Sequence, residues 1–438
     1  MPDTKTVRLA YGEAGLDVTV PADTVVLAPR HAPGLPDESA AIRDALAQPI
    51  NAPPLRDCVK PTDRVAIVHT DITRATPNDR ILPVLLGVLE DAGVPTGQIT
   101  LINALGTHRR QTPDELRAML GARVVDRYRC IQHDAWDDGN LVSLGTTSLG
   151  HPVRVNRTFM EADVKILTGF IEPHLFAGFS GGPKGVLPSI AGVESVFSNH
   201  GADMVGHPRA TWGVLDGNPI WQEMAEAARM ADPTFLLNVA LNRDKRITAV
   251  FAGELFAAHA AGCAFVRDAS MAPVPEPFDV VVTGNSGYPL DQSLYQSVKG
   301  MSAAAEVIRD GGAIVMAAEC RDGIPGHGEY ARLLREAGSP EKILEMVESP
   351  GFSCHDQWQV QVQARIQQKA SVYVYADGLT DDQITAALFK PAGALNELLA
   401  RLTAPNGNPR PPRVCVLPEG PMVIPCLENG DWLAAQKK

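Results

Sequence analysis

The chain of 438 residues is long enough for two or three domains and for a self-sufficient core without staples. Hydrophobic residues make up 45% and charged residues 21%, the balance of an ordinary globular protein, and the net charge of −12 argues against a general surface for nucleic acid or other polyanions. The seven cysteines form no CxxC pair, which disfavours zinc ribbons and disulfide frameworks; with no signal-like N-terminus and no apolar run long enough to span a bilayer, the expectation is a reduced, cytoplasmic protein with no membrane partner.

The pattern alternates short apolar runs with helical ones. Arg64–Thr70, Gln98–Gly106 and Asp163–Phe170 are continuous rather than alternating and predict buried strands of a parallel sheet. Between them, Asp79–Gly93 and Pro113–Leu120 predict helices, the second opened by a capping box of Thr112, Pro113 and Glu115. Asn218-Pro219 opens a further helix. Three prolines in Met271–Pro277 predict a linker, after which Phe278–Gly284, Ala313–Glu319 and Ser371–Ala376 predict further strands, with a helix at Glu329–Ala337. The fold class expected is α/β: two three-layer α/β domains, one over 1–272 and one over 278–410, with the active site in the cleft between them. The tail, 412–438, carries a short strand and is expected to pack back on the first domain.

Four stretches could carry chemistry. Asp71–Asn78 follows a predicted strand, where ligands of open α/β sheets bind, and combines Thr73, Thr76 and Asn78 with the guanidinium fork of Arg74. Gly106–Arg110 places His108 after the next strand. Gly169–Pro188 holds Glu172, His174, Ser180, Gly181, Gly182 and Lys184 in a glycine-rich loop. It fails as a Walker A motif, because Pro183 stands where a glycine is needed and Gly185 follows the lysine. His200 follows sixteen residues after that lysine. Gly284–Gly300 contributes Asp291 as a helix N-cap or first-turn anion, and Tyr295 with Lys299 on one helix face. Read singly, each stretch also suits a bland role: a capped turn, a structural histidine, an irregular glycine loop, a solvated helix face.

Together these stretches resemble the nickel-pincer lactate racemase family, whose members racemise or epimerise 2-hydroxy acids. Asp71–Asn78, Gly106–Arg110, Ala162–Gly192, Gly284–Gly300 and Cys354–Gln361 carry the resemblance, and Leu9–Asp23 is similar to the family's opening strand pair. The resemblance implies nickel held by a pyridinium-3-thioamide-5-thiocarboxylic acid mononucleotide, the nickel-pincer nucleotide, attached covalently through Lys184. It implies His200 as the metal ligand and His108 and His174 as the acid/base pair. Asp71, Thr73, Arg74, Ser180, Gly181 and Gly182 would meet the cofactor; Arg74, Tyr295, Gln296, Lys299 and Trp358 would meet the substrate. One departure concerns Pro183, where the family pattern sets an arginine before the lysine; it bears on the substrate, which could be lactate, malate, a larger aliphatic or aromatic hydroxy acid, or a sugar acid.

The implied reaction is reversible hydride transfer through a planar 2-keto acid, because the Cα proton of an unactivated 2-hydroxy acid is too weakly acidic to remove directly. Two near-neutral histidines suit the hydroxyl proton. Soft sulfurs, a carbon and one imidazole suit Ni(II). Asp71 could orient a histidine or a ribose hydroxyl. The partners implied are a small 2-hydroxy acid and the host's cofactor-biosynthesis proteins; the alternative reading is a non-catalytic protein that binds or stores the nucleotide.

Overall fold

The computed structural model describes residues 3–326, 328–405 and 410–428. The chain divides into two compact units, one of residues 31–200 and 207–268, the other of residues 1–30, 201–206 and 269–438. The division differs from the expected boundaries. Residues 1–30 belong with the C-terminal half, because their strands are completed there.

The unit of residues 31–268 is built on a six-stranded sheet in the order Ile247–Gly253, Phe235–Leu241, Val164–Phe170, Val65–Thr70, Ile99–Ala104, Arg129–Gln132. All neighbours are parallel except the antiparallel edge pair at Ile247–Gly253. The runs predicted as strands are buried on both faces, as an interior parallel sheet requires. Ile67, Leu101 and Ile166 pack on one face against Leu82, Leu85 and Leu89 of helix Asn78–Asp91. Helix Pro113–Leu120 begins with the expected box: Thr112 Oγ1 accepts from Glu115 N (3.2 Å) and Glu115 Oε2 accepts from Thr112 N (2.7 Å).

The second unit carries a parallel sheet in the order Lys390–Pro391, Ala370–Tyr375, Ile308–Ala317, Phe278–Gly284, Val414–Leu417, Val25–Val26. The tail strand thus joins this sheet, beside Val25–Val26 of the stretch assigned to the first domain, and not the sheet of the other unit. Val414–Leu417 is buried throughout and pairs with Phe278–Gly284 and with Val25–Val26, so its four apolar residues find a sheet interior there. The remainder of the expected tail, 429–438, lies outside the described residues. The N-terminal hairpin Thr4–Leu9/Leu16–Pro21 covers this sheet, burying Leu9, Val18 and Val20 with Val282, Val315 and Val416.

The expected linker is also corrected. Met271–Val274 is a strand, paired in parallel with Ile424–Leu427. A two-stranded ribbon has one unpaired edge per strand, which tolerates the missing N–H of Pro273.

Candidate active site

Three adjacent parallel strands release their loops at the same sheet edge. Val65–Thr70 lies between Val164–Phe170 and Ile99–Ala104, so Asp71–Arg74, His174 and His108 all follow carboxyl ends of neighbouring strands. The two possibilities for Asp71 thereby narrow. Its Oδ2 lies 2.7 Å from His108 Nδ1, while Oδ1 accepts from Thr73 Oγ1 (2.7 Å) and Thr73 N (3.2 Å). Burial alone would raise the Asp71 carboxyl, but His108, Arg74 and the Thr73 bonds outweigh it and hold it down at about 2. An ionised Asp71 keeps a proton on His108 Nδ1 and leaves the lone pair on Nε2. Arg74 lies alongside, its Nη1 3.4 Å from Thr73 Oγ1.

His174 is set differently. It lies in a two-residue hairpin, Pro173–His174 against Gly178–Phe179, and is buried. Ala177 N donates to its Nδ1 (3.3 Å), so the neutral ring carries its proton on Nε2. Phe176 stands edge-on to His174 (centroids 4.7 Å apart) and to His200 (5.0 Å), joining the two imidazoles through one phenyl ring.

Lys184 sits in a short 3-10 turn, Gly182–Gly185. Its ammonium is brought down to about 7, first by burial and then by the charge of Arg74, against the opposing pull of Glu172 and Asp71. His200, at the C-cap of helix Val193–Asn199, is held well below the ordinary imidazole range by burial and then by Lys184. Electrostatic and ring contacts thus link His108, Asp71, Arg74, Lys184, His200 and His174 within one unit.

Two expected cofactor contacts are engaged elsewhere. Ser180 Oγ donates to Phe170 O and accepts from Glu172 N, both 2.9 Å, closing the loop on itself. The N–H of Gly182, expected to meet the cofactor, donates to Asn238 Oδ1 (2.9 Å). Gly181 and Gly182 have positive φ of 77° and 52°, a backbone that L side chains rarely adopt. Among the described residues no cluster of three or more His, Cys, Asp or Glu could hold a metal. The residues suit a metal brought by a cofactor: one buried neutral imidazole to ligate it and one readily deprotonated lysine to anchor it.

In the second unit, Tyr295 and Lys299 share helix Leu294–Ala305, and Trp358 lies on helix Gln357–Lys369. The N-cap of the first helix is Ser293, not Asp291; Asp291 instead accepts from Gly12 N (2.7 Å) and Glu319 N (3.1 Å). Trp358 Nε1 donates to Tyr295 Oη (2.9 Å), and burial followed by the charge of Asp356 pushes the phenol far up. The buried Gln296 Oε1 has no hydrogen-bond partner among the described residues. Asp356, Phe176, Asn238 and His259 were not singled out from the sequence. A lone Asn in the apolar strand Phe235–Leu241 and a lone His in the apolar helix Leu255–Ser270 were the available signals for the last two.

Residues 11–213 match the family model described as lactate racemase N-terminal domain, and residues 274–425 match the lactate racemase C-terminal domain. A lactate racemase of Thermoanaerobacterium thermosaccharolyticum is 34% identical over 424 residues, covering 95% of this chain and 98% of that protein. One from Lactiplantibacillus plantarum is 36% identical over 389 residues, covering 88% and 91%. The structure of the T. thermosaccharolyticum lactate racemase apoprotein superposes with a TM-score of 0.87 at 32% identity, covering 96% of this chain and all of that one. A Thermotoga maritima protein shares the fold, with a TM-score of 0.69 at 20% identity, covering 91% of this chain and all of that one. Family models over both halves and relatives aligned over nearly the whole length place the chain in the lactate racemase family of isomerases.

Proposed function

We propose that this protein racemises or epimerises an anionic 2-hydroxy acid, using a nickel-pincer nucleotide anchored on Lys184 and ligated through His200. The observation that carries this reading is the Asp71–His108 pair linked to Lys184 and His200 in a single unit. A protein that only stored the nucleotide would need the lysine and the metal ligand, not an oriented imidazole beside them. When bound, the group supplies an acceptor and donor of hydride, so the substrate inverts through its planar 2-keto acid.

The chain's own residues manage the proton and the charge. Asp71 fixes His108 with its Nε2 lone pair available, the form that takes a hydroxyl proton. His174, with Nε2–H in its neutral form, offers a donor to a carbonyl oxygen. Arg74 meets the carboxylate. With Pro183 in place of an arginine, the Gly181–Gly185 segment brings Lys184 as its only cation, so Arg74 carries most of this recognition in its unit. Tyr295, Gln296, Lys299 and Trp358 are proposed as further substrate residues, supported by the Trp358–Tyr295 bond and the unpaired Gln296 Oε1.

Protein from a host that makes the cofactor should carry added mass on Lys184 and one nickel. It should invert enantiopure 2-hydroxy acids in deuterated water without deuterium at Cα, since the hydride is retained. Deuterium wash-in, or turnover of matching 2-hydroxy amides as fast as the acids, would overturn the reading. A charge-assisted contact contributes about 1.5–3 kcal/mol, so Arg74→Met or Lys299→Met should each lower kcat/KM about ten- to a hundredfold.

A further inference from the structure

The glycine loop that carries Lys184 is held by side chains from outside it as well as by its own bonds. Its left-handed glycines at 181 and 182 are pressed against two polar side chains from elsewhere in the unit. A Cβ on Gly181 would lie 2.5 Å from Asn238 Oδ1, and one on Gly182 would lie 2.4 Å from the His259 ring. Both contacts are also polar. Asn238 Oδ1 accepts the Gly182 N–H (2.9 Å), and His259 Nε2 lies 3.0 Å from the carbonyl oxygen of Ser180.

Neither side chain is what its element asks for. Asn238 interrupts the apolar strand Phe235–Leu241 in the interior of the sheet, and His259 interrupts the apolar helix Leu255–Ser270. Each is about 1% exposed, and a buried polar group costs stability unless its bonds are made. A leucine at either position would serve the core better. Asn238 Nδ2 donates to Leu237 O in its own strand (3.1 Å), while Asn238 Oδ1 and His259 Nε2 both find their use on the backbone of one loop.

The tautomer of His259 is also fixed. Burial holds its imidazole down at about 4, so the ring is neutral. The Ser180 carbonyl can only accept, so the proton resides on Nε2. The Cys263 sulfur lies beside the ring, 3.4 Å from Nε2 and 3.8 Å from Nδ1, and burial pushes that thiol up so that it stays protonated. The directed bond is His259 Nε2–H to Ser180 O.

We infer that Asn238 and His259 are positioning residues for the anchoring lysine: they clamp the backbone on either side of Gly181, so that the Lys184 amine is presented in one place for cofactor attachment. The inference rests on the proposed role of Lys184, and its test separates the two.

Four forms would be made: the parent, His259→Leu, His259→Gln, whose amide N–H can donate to Ser180 O, and Asn238→Leu. Each would be produced with and without the host's cofactor-synthesis proteins. Three quantities would be read: covalent loading of Lys184 by intact and peptide mass, amide exchange of residues 180–187 in the cofactor-free protein, and the melting temperature. His259→Leu and Asn238→Leu are expected to melt at or above the parent, to exchange faster only within 180–187, and to load Lys184 at least about tenfold more slowly. His259→Gln is expected to recover both protection and loading to within about threefold. Parent-like loading and exchange in both leucine variants would overturn the inference. So would equal loss in His259→Gln and His259→Leu, which would make the histidine a packing residue. If the parent itself never gains mass on Lys184 while the local exchange still depends on His259, the anchoring role of Lys184 falls and the clamp on the loop stands.

Discussion

At the residue scale the two histidines differ in what fixes them. His108 is held by a carboxylate and His174 by a backbone amide, so their neutral rings carry protons on opposite nitrogens. Asp71→Asn keeps the shape of that pair, but its amide offers an N–H to His108 Nδ1 and drives the ring proton onto Nε2. Turnover is expected to fall by roughly 10²–10⁴, as when a histidine base is locked in the wrong tautomer, while nickel content is unchanged. Steady-state kinetics beside metal analysis checks this; loss of metal in Asp71→Asn would show that Asp71 serves the cofactor instead. His108→Ala and His174→Ala should likewise abolish interconversion and keep nickel, whereas His200→Ala should lose it. Lys184 gives a pH-dependent signature. Its folded value of about 7 lies below the ordinary 10.5, so the buried amine costs stability at every pH below about 10.5 and costs it in full below about 7. Cofactor-free Lys184→Met is therefore expected to melt above the parent at pH 6. The gap should close between pH 7 and about 10.5, as followed by calorimetry.

At the scale of elements, most of the architecture was legible. Strands buried on both faces have no solvent side and so read as unbroken apolar runs, and Thr112-Pro113 and Asn218-Pro219 announced their helices by cap chemistry. Met271–Val274 was not legible, because its pairing partner lies some 150 residues away and no local pattern encodes it. The same holds for the destination of Val414–Leu417. In the site, loop residues after strand ends could be named from position, but their engagements could not: Ser180 and Gly182 bond within the unit, to Phe170 and Asn238, and only three-dimensional packing reveals those partners. Gly178 illustrates an element whose sequence requirement is absolute. It closes the hairpin of His174 with φ of +78°, and a Cβ there would lie 2.2 Å from Val214 O. Gly178→Ala is expected to lower the melting temperature and to lower kcat by more than the folded fraction accounts for, since the hairpin must open to admit the methyl group. Parent-like kcat in the folded fraction would show that His174 does not depend on this turn.

At the scale of the whole molecule, the order in which the chain visits its two units matters. The N-terminal segment lays a hairpin on, and adds the edge strand Val25–Val26 to, a sheet whose other strands all lie beyond residue 277. Deleting 1–24 would strip Val282, Val315 and Val416 of Leu9, Val18 and Val20, so that unit should lose its cooperative melting transition and bind a hydrophobic dye, which calorimetry and fluorescence would show. The interleaving also sets a timetable for biosynthesis. The first thirty residues leave the ribosome long before the strands they pair with exist, while the unit that bears Lys184 is complete once residue 268 has emerged. Nascent chains stalled about 40 residues past 268 should already protect the Lys184 unit from protease and leave the N-terminal hairpin open to it. The unit that bears Lys184 would then be folded while the other half of the polypeptide is still being translated.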